Sequence, residues 1–237
     1  MLERKAIGSL TIAGREALAI ARQAWLLRHD TDAPVTPAEV VAGDTVVVFL
    51  HGLFATAGVL RPLRAAVTRH RGVHAATLTY STGPGVTEVA ARLGEVVRAI
   101  PADTRIHLVG HSLGGIVARY FAQEMGDPRI VQTISMASPF AGIPRAGLLG
   151  FDGARDLEPQ SPLLRRLLLR ASEVGIPHLS IIAGSDAMVR SPVTHALPAG
   201  EVVVMEGRGH NTLLFDEAVA RLVERRVLSC GGPLGSR

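Results

Sequence analysis

Ile106-His107-Leu108-Val109-Gly110-His111-Ser112-Leu113-Gly114-Gly115-Ile116-Val117-Ala118-Arg119 is the stretch on which the reading of this chain turns. Ile106 to Val109 is a short apolar run of strand length, and Leu113 to Met125, closed by Gly126, reads as a helix. Between them, Gly110-x-Ser112-x-Gly114 must carry the backbone through a sharp strand-to-helix turn. A serine at such a turn has its hydroxyl pushed outward, and the flanking glycines allow the crowded backbone. The N-terminal end of the helix favours negative charge developing beside it. The competing reading is a glycine-rich packing turn in which Ser112 only caps the helix.

Working outward, Thr45-Val46-Val47-Val48-Phe49-Leu50 is a β-branched apolar run too short for a helix and predicts a buried parallel strand. Val73 to Tyr80 reads as the next strand, ended by Ser81-Thr82-Gly83-Pro84-Gly85. From Val86 the apolar spacing changes to three and four, through Val89, Ala90, Leu93, Val96, Val97 and Ile100, until Pro101 stops it. Ile130 to Met136, His178 to Ala183 and Glu201 to Met205 read as further strands. Asn211 to Val227 reads as a closing helix with Asp216 and Glu217 in its first turn. Alternating strands and helices predict an α/β domain with a doubly wound, mostly parallel sheet. The alternation breaks over about 139–175, a Pro- and Gly-rich insertion with one clear helix from Pro162 to about Ala171, capped by Ser161.

A chain of 237 residues, 47% apolar and 19% charged, accommodates one well-buried domain. We expect that domain over 45–228, preceded by a helix and linker over 1–44 and followed by a flexible tail over 229–237. The net charge of +4 is scattered and lacks interleaved aromatic residues, which argues against a nucleic-acid partner. The single cysteine, Cys230, excludes an intramolecular disulfide. Arg15, Glu16 and Arg22 interrupt the apolar stretch between Met1 and Leu27, so it reads as an amphipathic helix rather than a secretory signal or a span. Packed on the domain's flank it would suit a cytoplasmic protein; lying on a membrane surface it would make the protein peripheral, and secretion stays open.

Serine is a poor nucleophile at neutral pH and needs a base, with a third group to hold that base in one tautomer. On a sheet of this kind the partners follow in the order serine, acid, histidine, each beyond the carboxyl end of a strand. Of nine histidines, His178, His195 and His210 follow Ser112. His178 sits at the amino end of its strand. His195, in a proline-flanked loop, is the lesser candidate for the base and otherwise reads as a surface residue. His210 follows Val202-Val203-Val204-Met205 on a glycine-rich loop and is the expected base. Asp186 follows Leu179-Ser180-Ile181-Ile182-Ala183 by a Gly-Ser turn and is the expected acid. Asp127, Asp156, Glu158 and Asp216 read as surface or capping residues. For an oxyanion hole the amide of Leu113 is one expected donor and that of Leu53, in His51-Gly52-Leu53, the other. In the insertion, Leu163, Leu164, Leu167, Leu168 and Ala171 oppose Arg165, Arg166 and Arg170, a pattern that fits either a lid over an acyl pocket or a helix fixed to the domain. No metal motif and no phosphate or dinucleotide loop is legible, so no cofactor is implied.

Val-Val-Val-Phe-Leu-His-Gly-Leu (46–53), Leu-Val-Gly-His-Ser-Leu-Gly-Gly-Ile-Val-Ala-Arg (108–119), Ala-Gly-Ser-Asp-Ala-Met-Val (183–189) and Gly-Arg-Gly-His (207–210) together resemble a bacterial lipase or esterase of the α/β-hydrolase superfamily. The resemblance spans about 45–227. It implies an α/β-hydrolase fold with a helical lid insertion, a triad of Ser112, Asp186 and His210, and an oxyanion hole of the Leu53 and Leu113 amides. The expected chemistry is cleavage of carboxylic esters with an apolar acyl group through an acyl-enzyme. Thioester hydrolysis or acyl transfer on the same residues remains open, as does a non-catalytic pocket for an apolar ligand.

Overall fold

The computed structural model describes residues 2–31, 37, 39–189 and 191–229. Six strands form one sheet: β1 (Thr45–Leu50), β2 (Val73–Leu78), β3 (Arg105–His111), β4 (Ile130–Met136), β5 (His178–Ala183) and β6 (Glu201–Met205). Their order is β2-β1-β3-β4-β5-β6 and every pairing is parallel. The helices are α1 (Leu2–Leu26), α2 (Arg61–Thr68), α3 (Val86–Ala99), α4 (Leu113–Tyr120), α5 (Asp152–Arg155), α6 (Pro162–Leu169) and α7 (Glu217–Ser229). This is the doubly wound α/β sheet expected from the alternation of patterns.

Strand β1 is apolar throughout because it is covered on both faces. Val46, Val48 and Leu50 pack with α3, α4 and the insertion, while Val47 and Phe49 pack with α2 and α7. The strand order reverses between β1 and β3, whose last paired residues are Leu50 and Gly110. The loops His51-Gly52-Leu53 and His111-Ser112-Leu113 therefore leave the sheet side by side, at a topological switch point. Likewise Ala183 of β5 pairs with Met205 of β6, so the loops carrying Asp186 and His210 leave as neighbours.

Several boundaries differ from the sequence reading: β2 ends at Leu78 rather than Tyr80, β3 spans Arg105–His111 rather than Ile106 to Val109, and two helices differ as well. The closing helix does not begin at Asn211: Thr212–Phe215 is a 3-10 turn, and α7 starts at Glu217. Asp216 is not in the first turn but ahead of it, accepting hydrogen bonds from the amides of Ala218 (2.8 Å) and Val219 (3.3 Å), as an N-cap does. Leu213 and Leu214, both buried, match helical spacing, which hides the break. Helix α4 also stops earlier than expected, passing into a π-helical turn over Phe121–Met125 before Gly126 turns the chain at φ 68°.

The insertion contains a 3-10 turn (Ala146–Leu149) and α5 besides the expected helix. Ser161 caps α6 by accepting from the amide of Leu164 (3.1 Å), with Pro162 in the first position. Leu164 and Leu167 are buried in the core. Arg119 of α4, itself buried, donates to the carbonyls of Ala171 and Ile176 (2.9 Å each), and Gln123 to that of Leu167 (3.3 Å). Helix α6 is thus packed on the domain core by buried leucines and by hydrogen bonds from α4 and the turn that follows it. Trimming Leu167 to alanine would cost ~2–5 kcal/mol.

Helix α1 lies on the flank of the domain, against Ala57–Leu60 and Thr212–Phe215. Its inward stripe is Ile12, Glu16, Ala19, Gln23 and Leu26, at helical spacing, with Ala19 buried and the others half-buried. Among the described residues no helix is long and apolar enough to cross a membrane. Cys230, the tail beyond Ser229 and most of the proline-containing linker lie outside the described residues.

Candidate active site

Ser112 sits between β3 and α4 with φ 54° and ψ −122°, a backbone conformation that costs a non-glycine residue free energy. Its neighbours explain how it is held. Its amide donates to the carbonyl of Met136 (2.8 Å) and its carbonyl accepts from Gly115 (3.1 Å). A Cβ on Gly110 would lie 2.2 Å from the backbone of Gly114 and Gly115, and one on Gly114 would lie 2.3 Å from the carbonyl oxygen of Leu50. Both glycines are there because backbone passes where a side chain would be. Ser112 makes no side-chain capping hydrogen bond to α4, which removes the reading of it as a simple helix cap.

The loop after β1 passes directly over this turn, since a Cβ on Gly52 would lie 2.9 Å from the Cβ of Ser112. His51 anchors that loop. Its Nδ1–H donates to the carbonyl of Gly52 (2.7 Å), while its Nε2 accepts from the amide of Tyr80 (3.1 Å). The Tyr80 hydroxyl donates to the carbonyl of His51, and the two rings stack at 4.0 Å. Burial holds the His51 pKa down to about 4, so the ring stays neutral and keeps this tautomer. Leu53 follows, half-buried against the core, and then Phe54, at φ 57°, with its amide on the Thr82 hydroxyl (3.2 Å). The amide of Leu113 belongs to the first turn of α4, whose N–H groups have no acceptor within the helix.

His210 Nδ1 and Asp186 Oδ2 are 2.7 Å apart, and both side chains are buried. With a carboxylate as its partner Nδ1 is the donor, which leaves Nε2 as the basic nitrogen. The other oxygen of Asp186 accepts from the amide of Met188 (2.8 Å), so the carboxylate cannot swing away without breaking a second bond. His111 supplies a contact that the sequence reading missed. Its Nε2–H donates to the carbonyl of His210 (3.1 Å), and the two rings meet edge to face at 4.8 Å. Burial pushes the His111 pKa down to about 3. A neutral, fully enclosed imidazole therefore ties the residue before Ser112 to His210.

Glu16 was also missed, and nothing in the sequence signals it: its partners lie 195 and 196 residues away. One carboxylate oxygen accepts from the amide (2.7 Å) and side-chain nitrogen (2.9 Å) of Asn211, the other from the amide (3.0 Å) and hydroxyl (2.7 Å) of Thr212. Gly209 gives the carboxylate room, since a Cβ there would lie 2.4 Å from it. Farther along, the Thr56 hydroxyl lies within reach of the Leu27 (3.2 Å) and His29 (2.9 Å) carbonyls. The segment from α1 to His29 is thereby bonded to the loops after β1 and β6.

The histidines set aside separate differently. His178 is buried at the amino end of β5 among the hydroxyls of Thr133 (2.7 Å), Ser135 (3.0 Å) and Ser180 (3.1 Å). His195, expected on the surface, is instead buried in the 3-10 turn Pro192–His195. It lines a cavity of about 370 Å³ with Ile143, Pro159, Met188 and Val189. Among the acids, Asp127 pairs with Arg129 (2.8 Å), Asp156 accepts from the Val86 amide that opens α3 (2.7 Å), and Glu158 accepts from the Gly147 amide (3.0 Å).

Residues 47–180 match the model of the alpha/beta hydrolase family. The chain belongs to that family. Among solved structures, this alpha/beta hydrolase is similar to the mature form of Bacillus licheniformis lipase BlEst2, with TM-score 0.65 and 12% identity over 82% of this chain and 97% of that one. It is similar to a structure from work on LipS and LipT, two metagenome-derived lipolytic enzymes, with TM-score 0.66 and 16% identity over 85% and 98% of the two chains. Est1E from Butyrivibrio proteoclasticus with ferulic acid bound gives TM-score 0.64 and 14% identity over 83% and 93%. At these identities the likeness is one of fold. No curated protein matches the hydrolase.

Proposed function

We propose that this alpha/beta hydrolase cleaves carboxylic esters with an apolar acyl group, with Ser112 as nucleophile, His210 as base and Asp186 as the acid that orients it. The observation that carries the reading is the 2.7 Å bond between His210 and Asp186, on a loop joined through His111 to the strained turn of Ser112. The Ser112 hydroxyl adds to the ester carbonyl as its proton passes to His210 Nε2. The amides of Leu53 and Leu113 receive the resulting oxyanion, each worth on the order of a hundredfold or more in turnover. His210 then protonates the departing alkoxide, leaving an acyl group on Ser112. Water, deprotonated by His210, releases the acid by the reverse sequence.

The apolar preference is supported by what surrounds the carboxyl end of the sheet. Phe54, Leu148, Leu149 and Met188 are all exposed there, and Phe54 meets Phe151 edge to face at 6.1 Å. The cavity beside Asp186 is lined mainly by apolar groups. The test is a chain-length series of p-nitrophenyl esters on the wild type and on Ser112→Ala. We expect hydrolysis that rises with acyl length and is lost in the variant. Undiminished hydrolysis by Ser112→Ala refutes the assignment, and a large preference for matched thioesters overturns the substrate class.

A further inference from the structure

Helix α1 turns an unusual face outward. Its inward stripe holds Glu16 and Gln23, yet the exposed positions include Ala17, Leu18, Ile20, Ala21, Ala24 and Trp25. Leu18 and Ile20 are 53% exposed and Trp25 61%, so large apolar side chains stand in water on a helix that has polar residues facing the protein. Trp25 also borders an open groove of about 510 Å³ with Ala21, Leu26, Pro62 and Phe215. Interspersed with this surface are Arg15, Arg22 and Arg28, of which Arg28 stacks on the Trp25 ring. Between residues 11 and 28 the only acid is Glu16, and it faces inward on Asn211 and Thr212. Among the described residues, none of the three arginines is paired with a carboxylate.

We propose that the outer face of α1 docks on an anionic lipid surface. The chemistry fits on two counts: Leu18, Ala21 and Trp25, on one ridge of the helix, offer an apolar body with an interfacial indole, and the arginines offer cations for acidic headgroups. Charge complementarity selects this occupant over a second copy of the chain. A two-fold contact through residues 11–28 would set arginines against arginines, with no outward acid in that stretch to offset them, and the acids bordering Arg15 and Arg22, Asp216 and Glu217, are already paired with Arg208 and Arg221. Because the same segment is bonded to the loops after β1 and β6, docking would hold the carboxyl end of the sheet close to the lipid.

The test needs no catalytic activity. Full-length protein is sedimented with vesicles of phosphatidylcholine alone and with vesicles of phosphatidylcholine and phosphatidylglycerol in equal parts. We expect binding to the mixed vesicles, little to the neutral ones, and release by high salt. Leu18→Glu with Trp25→Glu should lower partitioning at least about tenfold, and each arginine changed to alanine about fivefold. These side chains are exposed, so circular dichroism and hydrolysis of a water-soluble ester should stay at wild-type level in the variants. Failure of the wild type to bind mixed vesicles, or equal binding by the folded Leu18→Glu/Trp25→Glu protein, overturns the proposal. So does a vesicle-free dimer that the same double variant abolishes, which would give the face to self-association.

Discussion

Replacing Glu16 by alanine removes four hydrogen bonds from the two residues that follow His210 without touching any group in the proposed reaction. Two of the four donors are backbone amides, and they fix the path of the loop. A hydrogen bond to a charged group contributes ~1.5–3 kcal/mol, and the lower figure suits a half-buried carboxylate whose donors water would partly recover. Two amides then give about 3 kcal/mol holding the loop. Felt in half or in full at His210, that corresponds to a fall in kcat of about tenfold to a hundredfold, since each decade is ~1.4 kcal/mol. KM for a short soluble ester should change little, because Glu16 lies outside the acyl-binding surface. Glu16→Gln should fall between: its one oxygen can still serve the Asn211 donors, but its amide nitrogen cannot accept from Thr212. The assay is steady-state kinetics on p-nitrophenyl acetate, with circular dichroism to verify that α1 is intact. A Glu16→Ala protein whose kcat stays within about twofold of wild type, or one that loses only KM, would refute the reasoning.

Ser112→Ala and His210→Ala should each lower kcat on that ester by at least about a thousandfold while leaving the melting temperature near wild type, and Asp186→Asn by ~10⁴, because the amide would favour the wrong imidazole tautomer. Gly52→Ala places a Cβ 2.9 Å from that of Ser112 and 3.4 Å from His111 Nδ1. It should displace the Leu53 amide and lower kcat about a hundredfold, with ~1–3 kcal/mol lost from stability in urea titration. Acid stability should fall steeply. Burial depresses His51 and His107 to about 4, and His111 and His178 to about 3, from 6.5. Between pH 6.5 and those values the unfolded chain binds protons that the folded chain refuses, so stability present above pH 6.5 is lost as pH falls, at ~1.4 kcal/mol per pH unit for each such histidine. Melting temperature measured from pH 7 to pH 4 should show this, and His178→Gln should flatten the slope by about one histidine's share. A slope unchanged in that variant would count against burial of a neutral ring.

What could be read in the sequence was what is encoded locally. The strand, turn and helix around Ser112 are written in neighbouring residues, and so are the short turns that place Asp186 and His210 at the carboxyl ends of β5 and β6. The pairing of those two loops follows from β5 and β6 being neighbours in the sheet, whereas alternation of patterns gives a parallel, doubly wound sheet without its strand order. The start of α7 was misread because Leu213 and Leu214 satisfy helical spacing within a 3-10 turn, although Asp216 was available as a cap. His195 is buried beside residues distant in the chain, among them Ile143 and Pro159, and no periodicity records that. Tyr80 behind His51 and His111 behind His210 join residues 29 and 99 positions apart, through two hydrogen bonds and one, and such bonds leave no pattern along the chain.

The 195 residues separating Glu16 from Asn211 also have a meaning in time. Synthesis runs from the amino terminus at roughly 5–20 residues per second, so Glu16 precedes its donors by about ten to forty seconds. Throughout that interval α1 has neither the amides its carboxylate will accept nor the loop against which Ala19 will be buried. Helix α1 is thus completed by a segment made long after it, and the clasp between them closes only once β6 and the loop that follows it have been synthesised.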